Sequence, residues 1–94
     1  MEIKVTELVY QVIYELYTNH DHKSETCTLM IDYPANVLPI IPRVGDTFDW
    51  DVYGKDCHTY VISKIHHWFE NNEENEENSP LIWVHNIKIT GYSN

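Results

Sequence analysis

Two stretches near the start of the chain alternate between apolar and polar residues, as half-buried β-strands do. The apolar positions of the first stretch, residues 4–17, are Leu8, Tyr10, Val12, Tyr14 and Leu16. Those of the second stretch, residues 26–33, are Cys27, Leu29, Ile31 and Tyr33. The segment between them, residues 18–25, is polar throughout. We therefore predict an antiparallel hairpin whose inner face carries both apolar sets.

The first stretch also fits a second periodicity. Val9, Val12, Ile13, Leu16 and Tyr17 recur at helical spacing. Because the segment is rich in β-branched and aromatic residues and contains no alanine, the strand interpretation is favoured. The alternative fold is α+β, with residues 4–17 forming a helix on a smaller sheet.

The remainder of the chain also divides into extended segments. Prolines at 34, 39 and 42 prevent a central strand there, so 37–41 is predicted to be a crossover or edge segment. Residues 44–46 predict a turn before a strand that starts at Thr47, and residues 53–55 predict a hairpin connection. Long strands are predicted over 58–69 and 81–89, separated by a polar loop at 70–79 that is rich in Glu and Asn.

One motif resembles a known architecture. Residues Pro42 to Phe48 read Pro-x-x-Gly-Asp-x-Phe, and Tyr60-Val61-Ile62 follows a short hairpin. This pattern, which covers less than half of the chain, is similar to the entry of SH3-like barrels. The fold prediction is all-β: a small five- to six-stranded antiparallel, partly open (SH3-like) barrel or sandwich. Ninety-four residues predict a single domain, 1–94.

The charge balance restricts the class of partner. Fifteen acidic residues against six basic ones give a formal net charge of −9. Such a field repels nucleic acid phosphates and anionic lipids, so we expect no direct nucleic-acid binding and no membrane binding. Without the five glutamates of the 70–78 tract, the remaining ten acidic residues would leave a charge of −4. The expected partner is another protein with a basic surface.

The start of the chain lacks the basic, apolar and small-residue regions of a signal peptide. No apolar run approaches the roughly 18 residues that span a bilayer. The two cysteines are too few and too widely spaced for a disulfide framework. A cytoplasmic protein with reduced thiols is therefore expected.

Catalytic and metal chemistry find weak support in the residue pattern. Cys57 adjoins His58, but alternation along a strand would send the two side chains to opposite faces. A zinc site needs three or four converging ligands, and the six histidines are scattered. A cross-strand pair, His85 with either His66 or His67, is the most feasible arrangement. We predict no enzyme activity, no catalytic residues, no cofactor and no metal.

Candidate binding residues combine carboxylates with aromatic rings. Within the hairpin of residues 46–56, Asp49 and Asp51 accompany Trp50 and Tyr53. Carboxylates form charge-assisted hydrogen bonds with Arg and Lys, while Trp and Tyr are favoured interface anchors. The acidic loop adds Glu73, Glu74, Glu76 and Glu77.

The resulting functional hypothesis is a non-catalytic acidic protein-interaction module. In its sharper form, the module is a small inhibitor or anti-defence protein of the phage or mobile-element type that occupies a basic protein surface. The alternative is a metal- or small-ligand-binding β-barrel that uses its histidines. Exposed edge strands would also permit a homodimer.

Overall fold

A computed structural model describes residues 2, 5, 7–18, 26–50, 58–71 and 82–93. The described residues form five β-strands and no helix. The strands are β1 (Glu7–Tyr17), β2 (Thr26–Tyr33), β3 (Thr47–Trp50), β4 (His58–Asn71) and β5 (Ile82–Ser93). The all-β prediction is confirmed, and the helical alternative for residues 4–17 is wrong because Glu7–Tyr17 is a strand.

The five strands form one strongly curled sheet, an open half-barrel with strand order β2-β1-β5-β4-β3. Consecutive strands pair antiparallel in β1–β2, β3–β4 and β4–β5. The chain then closes the sheet by laying β5 parallel to β1. The sheet is therefore mixed, whereas the prediction assumed antiparallel pairing throughout, because alternation within a strand carries no information about its non-consecutive neighbour.

The predicted inner face of the first hairpin is confirmed by its register. Tyr10 lies opposite Tyr33, and the pairing continues in steps of two to Leu16 opposite Cys27. We call the side of the sheet that carries these residues the core face and the opposite side the outer face. Because side chains alternate along each strand, every residue in the strands belongs to one face or the other.

The hydrophobic core lies on the core face, over the three central strands. Its most buried apolar side chains expose 2% of their surface or less: Val12, Leu16, Tyr60, Ile62, Ile87 and Ile89. A side chain at Gly91 would crowd this core, since an added Cβ would stand 3.1 Å from Leu16 Cδ2. Burial of each large aliphatic side chain stabilises the fold by about 1.5–3 kcal/mol.

Residues 34–46, which we call the strap, connect β2 with β3 at opposite edges of the sheet. Ile41 of the strap packs against the core cluster. The strap ends in the predicted turn, where Gly45 has a φ of 94° and its N–H donates to Ile62 O at 2.8 Å. The strap contains no strand, in agreement with its three prolines.

A register shift between Ile62 and Lys64 places one extra residue in β4 opposite β5. Such a bulge reverses which side chains face the core from that point onward. His58 therefore lies on the core face and His66 on the outer face, although an even number of residues separates them. The same bulge turns His67 and Phe69 toward the core face.

Candidate functional site

A polar row crosses four strands of the outer face. Gln11 of β1 lies opposite Asp32 of β2 on one side and Asn86 of β5 on the other. Asn86 in turn lies opposite Trp68 of β4. Polar side chains are expected on a face that meets water, but Asn86 is buried there, with 3% of its surface exposed. The row therefore marks a position where packing alone does not account for the sequence.

Hydrogen bonds hold two carboxylates at the ends of this row. Gln11 Nε2 donates to Asp32 Oδ1 at 3.0 Å. Trp68 Nε1 donates to Glu70 Oε1 at 2.6 Å. Glu70 lies two residues beyond Trp68 on the same face, opposite Val84. Each carboxylate is thus oriented by a neighbouring side chain that is itself part of the sheet.

These residues surround an open cavity of about 420 Å³, which we call the outer cavity. Its lining residues are Val9, Tyr10, Gln11, Asp32, Tyr33, Glu70, Val84 and Asn86. Asn86 is only 3% exposed, and its Nδ2 has no hydrogen-bond partner among the described residues. A buried donor left in this condition costs about 1–3 kcal/mol. Nδ2 itself has almost no accessible surface, so a ligand reaches it only when the side chains that cover it move, and an acceptor placed there would then recover that free energy.

The charge around the outer cavity is negative. Among the described residues, neither Asp32 nor Glu70 forms an ion pair; the ion pair found there joins Lys88 Nζ to Glu15 Oε2 at 2.7 Å. Lys88 lies on the outer face of β5, two residues beyond Asn86 along the strand, and is not part of the polar row. The cavity therefore combines two carboxylates with a buried amide donor. This arrangement suits a group that carries a cation next to a carbonyl oxygen.

A second cluster lies on the core face, where β4 meets β5. His67 Nδ1 and His85 Nε2 are 2.9 Å apart, so one imidazole donates to the other. Phe69 stacks on His85 with ring centroids 4.3 Å apart, and Tyr10 contacts the same ring from β1 at 5.1 Å. Of the two adjacent histidines in β4, the bulge places His67, and not His66, against His85.

The imidazole pair supplies fewer ligands than a metal centre needs. Zinc is held by three or four protein ligands. In the described ranges, no group of three His, Cys, Asp or Glu side chains converges. Beside the pair lies a smaller open cavity of about 270 Å³, lined by Val5, Leu8, Phe69 and Trp83. The buried Trp83 Nε1 finds no acceptor among the described residues.

Burial lowers the pKa of His85, and the adjacent His67 lowers it further. The unfolded chain therefore takes up a proton near the ordinary histidine pKa of about 6.5, while the folded protein resists it. The contribution of His85 to the free energy of unfolding is fully present above that pH and is lost as the pH drops toward the folded-state pKa. We expect His85→Gln to lose less stability than the wild type between about pH 7 and about pH 5 in urea unfolding. His66→Gln, on the opposite face of β4, is the matched control; equal pH slopes for the wild type and His85→Gln would contradict the prediction.

The predicted binding residues of the 46–56 hairpin are only partly described. Asp49 lies on the outer face of β3, where its Oδ1 accepts from Thr59 Oγ1 at 2.5 Å. Trp50 lies on the core face and is 37% exposed. Because they point to opposite faces, Asp49 and Trp50 do not form one contact patch. Asp51 and Tyr53, and the acidic-loop residues Glu73, Glu74, Glu76 and Glu77, lie outside the described residues.

Sequence reasoning missed the polar row. Alternation predicts only that Gln11 and Asp32 lie on the polar sides of their respective strands. Asn86 carried the available signal, since it interrupts the apolar run of residues 81–89 with an amide that has poor strand propensity. Recognising the row also required the parallel pairing of β1 with β5.

In the part of the chain that the structure describes, no helical segment has the length and apolar content needed to traverse a lipid bilayer. Comparison of the chain with protein-family models, with curated proteins and with solved structures gives no match.

Proposed function

We propose that this chain is a non-catalytic interaction module that works in the cytoplasm and binds a basic segment of another protein. The observation that carries this proposal is the outer cavity, in which Asp32 and Glu70 flank the unpartnered amide of Asn86. A small inhibitor that occupies a basic surface is one form such a module takes.

The outer cavity matches the chemistry of an arginine or lysine residue in an extended chain. The side-chain cation would pair with Asp32 and Glu70, and a main-chain carbonyl would accept from Asn86 Nδ2. Hydrogen bonds to charged groups contribute about 1.5–3 kcal/mol each, more than neutral ones. Glu70 also begins the acidic tract in the sequence, which continues with Glu73, Glu74, Glu76 and Glu77.

Exposed apolar side chains on the strap form a second, separate surface, because the strap packs on the core face and the outer cavity lies on the opposite face. Leu38 is 76% exposed and Ile40 is 92% exposed, while Ile41 between Ile40 and Pro42 packs inward. Single exposed apolar residues are common on monomers, but the strap also exposes Val37 and Val44.

Charge removal at the cavity tests the proposal with a defined probe. The probe is a fluorescent peptide of alternating glycine and arginine, and a citrulline version supplies an uncharged isostere. We expect the double variant Asp32→Asn/Glu70→Gln to weaken binding of the arginine peptide by at least about tenfold, because two charge-assisted contacts are lost. Fluorescence anisotropy at fixed ionic strength provides the measurement.

Three further variants separate local recognition from general attraction to an acidic protein. Asp46→Asn removes one charge near the opposite edge of the sheet, where Asp46 Oδ2 accepts from Arg43 N at 2.8 Å. Asp49→Asn tests the hairpin predicted from sequence. Neutralising Glu73, Glu74, Glu76 and Glu77 together tests the acidic loop. If Asp46→Asn weakens binding as much per charge as the cavity variant does, the cavity has no special role.

A metal- or small-ligand-binding barrel is the second candidate, and the His67–His85 contact favours it. Those two imidazoles are preorganised, and the apolar cavity beside them ends at the unpartnered Trp83 indole. Elemental analysis of protein purified without a histidine tag separates the two candidates. Stoichiometric metal that is lost in His67→Gln but kept in His66→Gln would favour this second function.

A further inference from the structure

The strand β2 leaves one long edge of the sheet open. β2 lies at the end of the strand order, and among the described residues its only partner is β1. Its eight residues carry one charge, Asp32, and contain no lysine, proline or bulge. Natural proteins normally protect such an edge with those features, because its free backbone groups can pair with another strand. Met30 on this edge is 61% exposed and Ile31 is 38% exposed.

We infer that two copies of the chain associate through β2, which pairs antiparallel with β2 of the second copy around a twofold axis at Met30. In this register Met30 lies opposite Met30 of the second copy, and Leu29 lies opposite Ile31 of the second copy. Asp32 then lies opposite Thr28, so no two like charges oppose each other. In this register each outer-face residue lies opposite an outer-face residue of the second copy, and each core-face residue opposite a core-face residue, as a continuous sheet requires.

The location of the axis follows from exposure. A register centred on Leu29 would place a side chain of the core face, already half-buried, on the axis. Centring on Met30 instead buries the most exposed apolar side chain of the strand against its symmetry mate. Cross-strand apolar pairs of this kind stabilise sheets.

The opposite edge of the sheet does not offer the same contact. β3 has only four residues, and short edge strands pair poorly. The register that pairs Phe48 with Trp50 of a second β3 would place Asp49 directly opposite Asp49. Like charges in that position are destabilising. The β2 contact therefore uses the one long edge of each copy and closes the assembly at a dimer.

Dimerisation and peptide binding should respond to salt in opposite directions. Each copy has a formal charge of −9, so mutual repulsion opposes the dimer and is screened as salt is added. Attraction of an arginine peptide to carboxylates weakens under the same change. The two proposals share Asp32, which lines the outer cavity and lies opposite Thr28 in the dimer, but the dimer rests on Met30, which does not line that cavity, so the Met30 variants test it separately.

Disulfide trapping tests the register directly. In a background with Cys27→Ser and Cys57→Ser, Met30→Cys places two thiols opposite each other at the axis, within reach of a disulfide. Thr28→Cys is the matched control on the same strand and face. Its two copies would be separated by four residues along the strand, about 13 Å, which is too far to bridge. Diamide oxidation at micromolar protein concentration and non-reducing electrophoresis give the readout.

We expect Met30→Cys to form covalent dimer at least about tenfold faster than Thr28→Cys, since only the former pair is in bonding range. Sedimentation equilibrium should show that the wild-type dimer population increases with salt. Met30→Lys should be monomeric while its circular dichroism spectrum remains that of the wild type. Equal trapping rates for the two cysteine variants, or a wild-type protein that stays monomeric at every salt concentration, would overturn the inference.

Discussion

Replacing Ile89 with alanine is expected to lower the free energy of unfolding by about 2–5 kcal/mol. Ile89 is fully buried on the core face of β5, between β1 and β4, and belongs to the cluster with Val12, Ile62 and Ile87. The substitution removes apolar contacts and leaves a cavity that a well-packed centre cannot close. A 94-residue domain has only about 5–14 kcal/mol of stability, so the loss is a large part of the total.

The matched control is Val61→Ala. Val61 lies on the outer face of β4 and is 41% exposed, so its truncation is expected to cost less than about 1 kcal/mol. Urea unfolding followed by tryptophan fluorescence measures both variants under one set of conditions. If Val61→Ala proved as damaging as Ile89→Ala, the assignment of the core to the face that carries Ile89 would be wrong.

Replacing Asn86 with leucine is expected to raise the free energy of unfolding by about 1 kcal/mol. The wild-type amide is 3% exposed and leaves Nδ2 unpartnered, so its removal relieves a desolvation penalty of about 1–3 kcal/mol. Part of that gain is offset, because leucine differs in shape from asparagine. A substitution of a buried residue that stabilises a protein is uncommon, which makes the sign of the effect informative.

The same variant is expected to bind the arginine peptide several-fold more weakly than the wild type. A lost neutral hydrogen bond is worth about 0.5–1.5 kcal/mol, which corresponds to about 2- to 12-fold in affinity. Gain of stability with loss of binding is the signature of a residue kept for function. If Asn86→Leu instead unfolds more easily and binds peptide normally, Asn86 serves the fold rather than a ligand.

The first hairpin and the residues of its inner face could be predicted from sequence. Strict alternation over residues 8–16 and 27–33 specifies which side chains share a face, but a slip of two residues would keep both apolar sets inside, so the pairing of Tyr10 with Tyr33 is known only from the structure. The same residues also recur at helical spacing, but they form a strand. Their β-branched and aromatic side chains lose less conformational freedom in a sheet than in a helix.

The pairing of β1 with β5 was beyond sequence reasoning. The two strands lie at opposite ends of the chain, and nothing in the pattern of either one specifies its non-consecutive neighbour. The bulge between Ile62 and Lys64 could not be predicted either, because the amino-acid composition of a long strand does not show where an extra residue interrupts its pairing. That bulge determines that His67, and not His66, meets His85.

These two features also explain why the candidate site differs from the expected one. Sequence reasoning places the binding surface on residues that are acidic and adjacent in the chain, namely Asp49 and Asp51 with the 70–79 loop. The outer cavity instead gathers Asp32, Asn86 and Glu70 from three different strands. Only the order β2-β1-β5-β4 brings them together, and that order depends on the parallel pair.

The most direct test of the proposed binding function is the NMR signal of the Asn86 side-chain amide. That signal is assigned by its absence from the spectrum of Asn86→Leu. The protein is titrated into the millimolar range with N-acetyl-arginine amide and, separately, with N-acetyl-citrulline amide, which has the same shape without the charge. We predict a saturable shift of the Asn86 amide with the arginine compound alone. Equal shifts with both compounds, or no shift with either, would contradict the account.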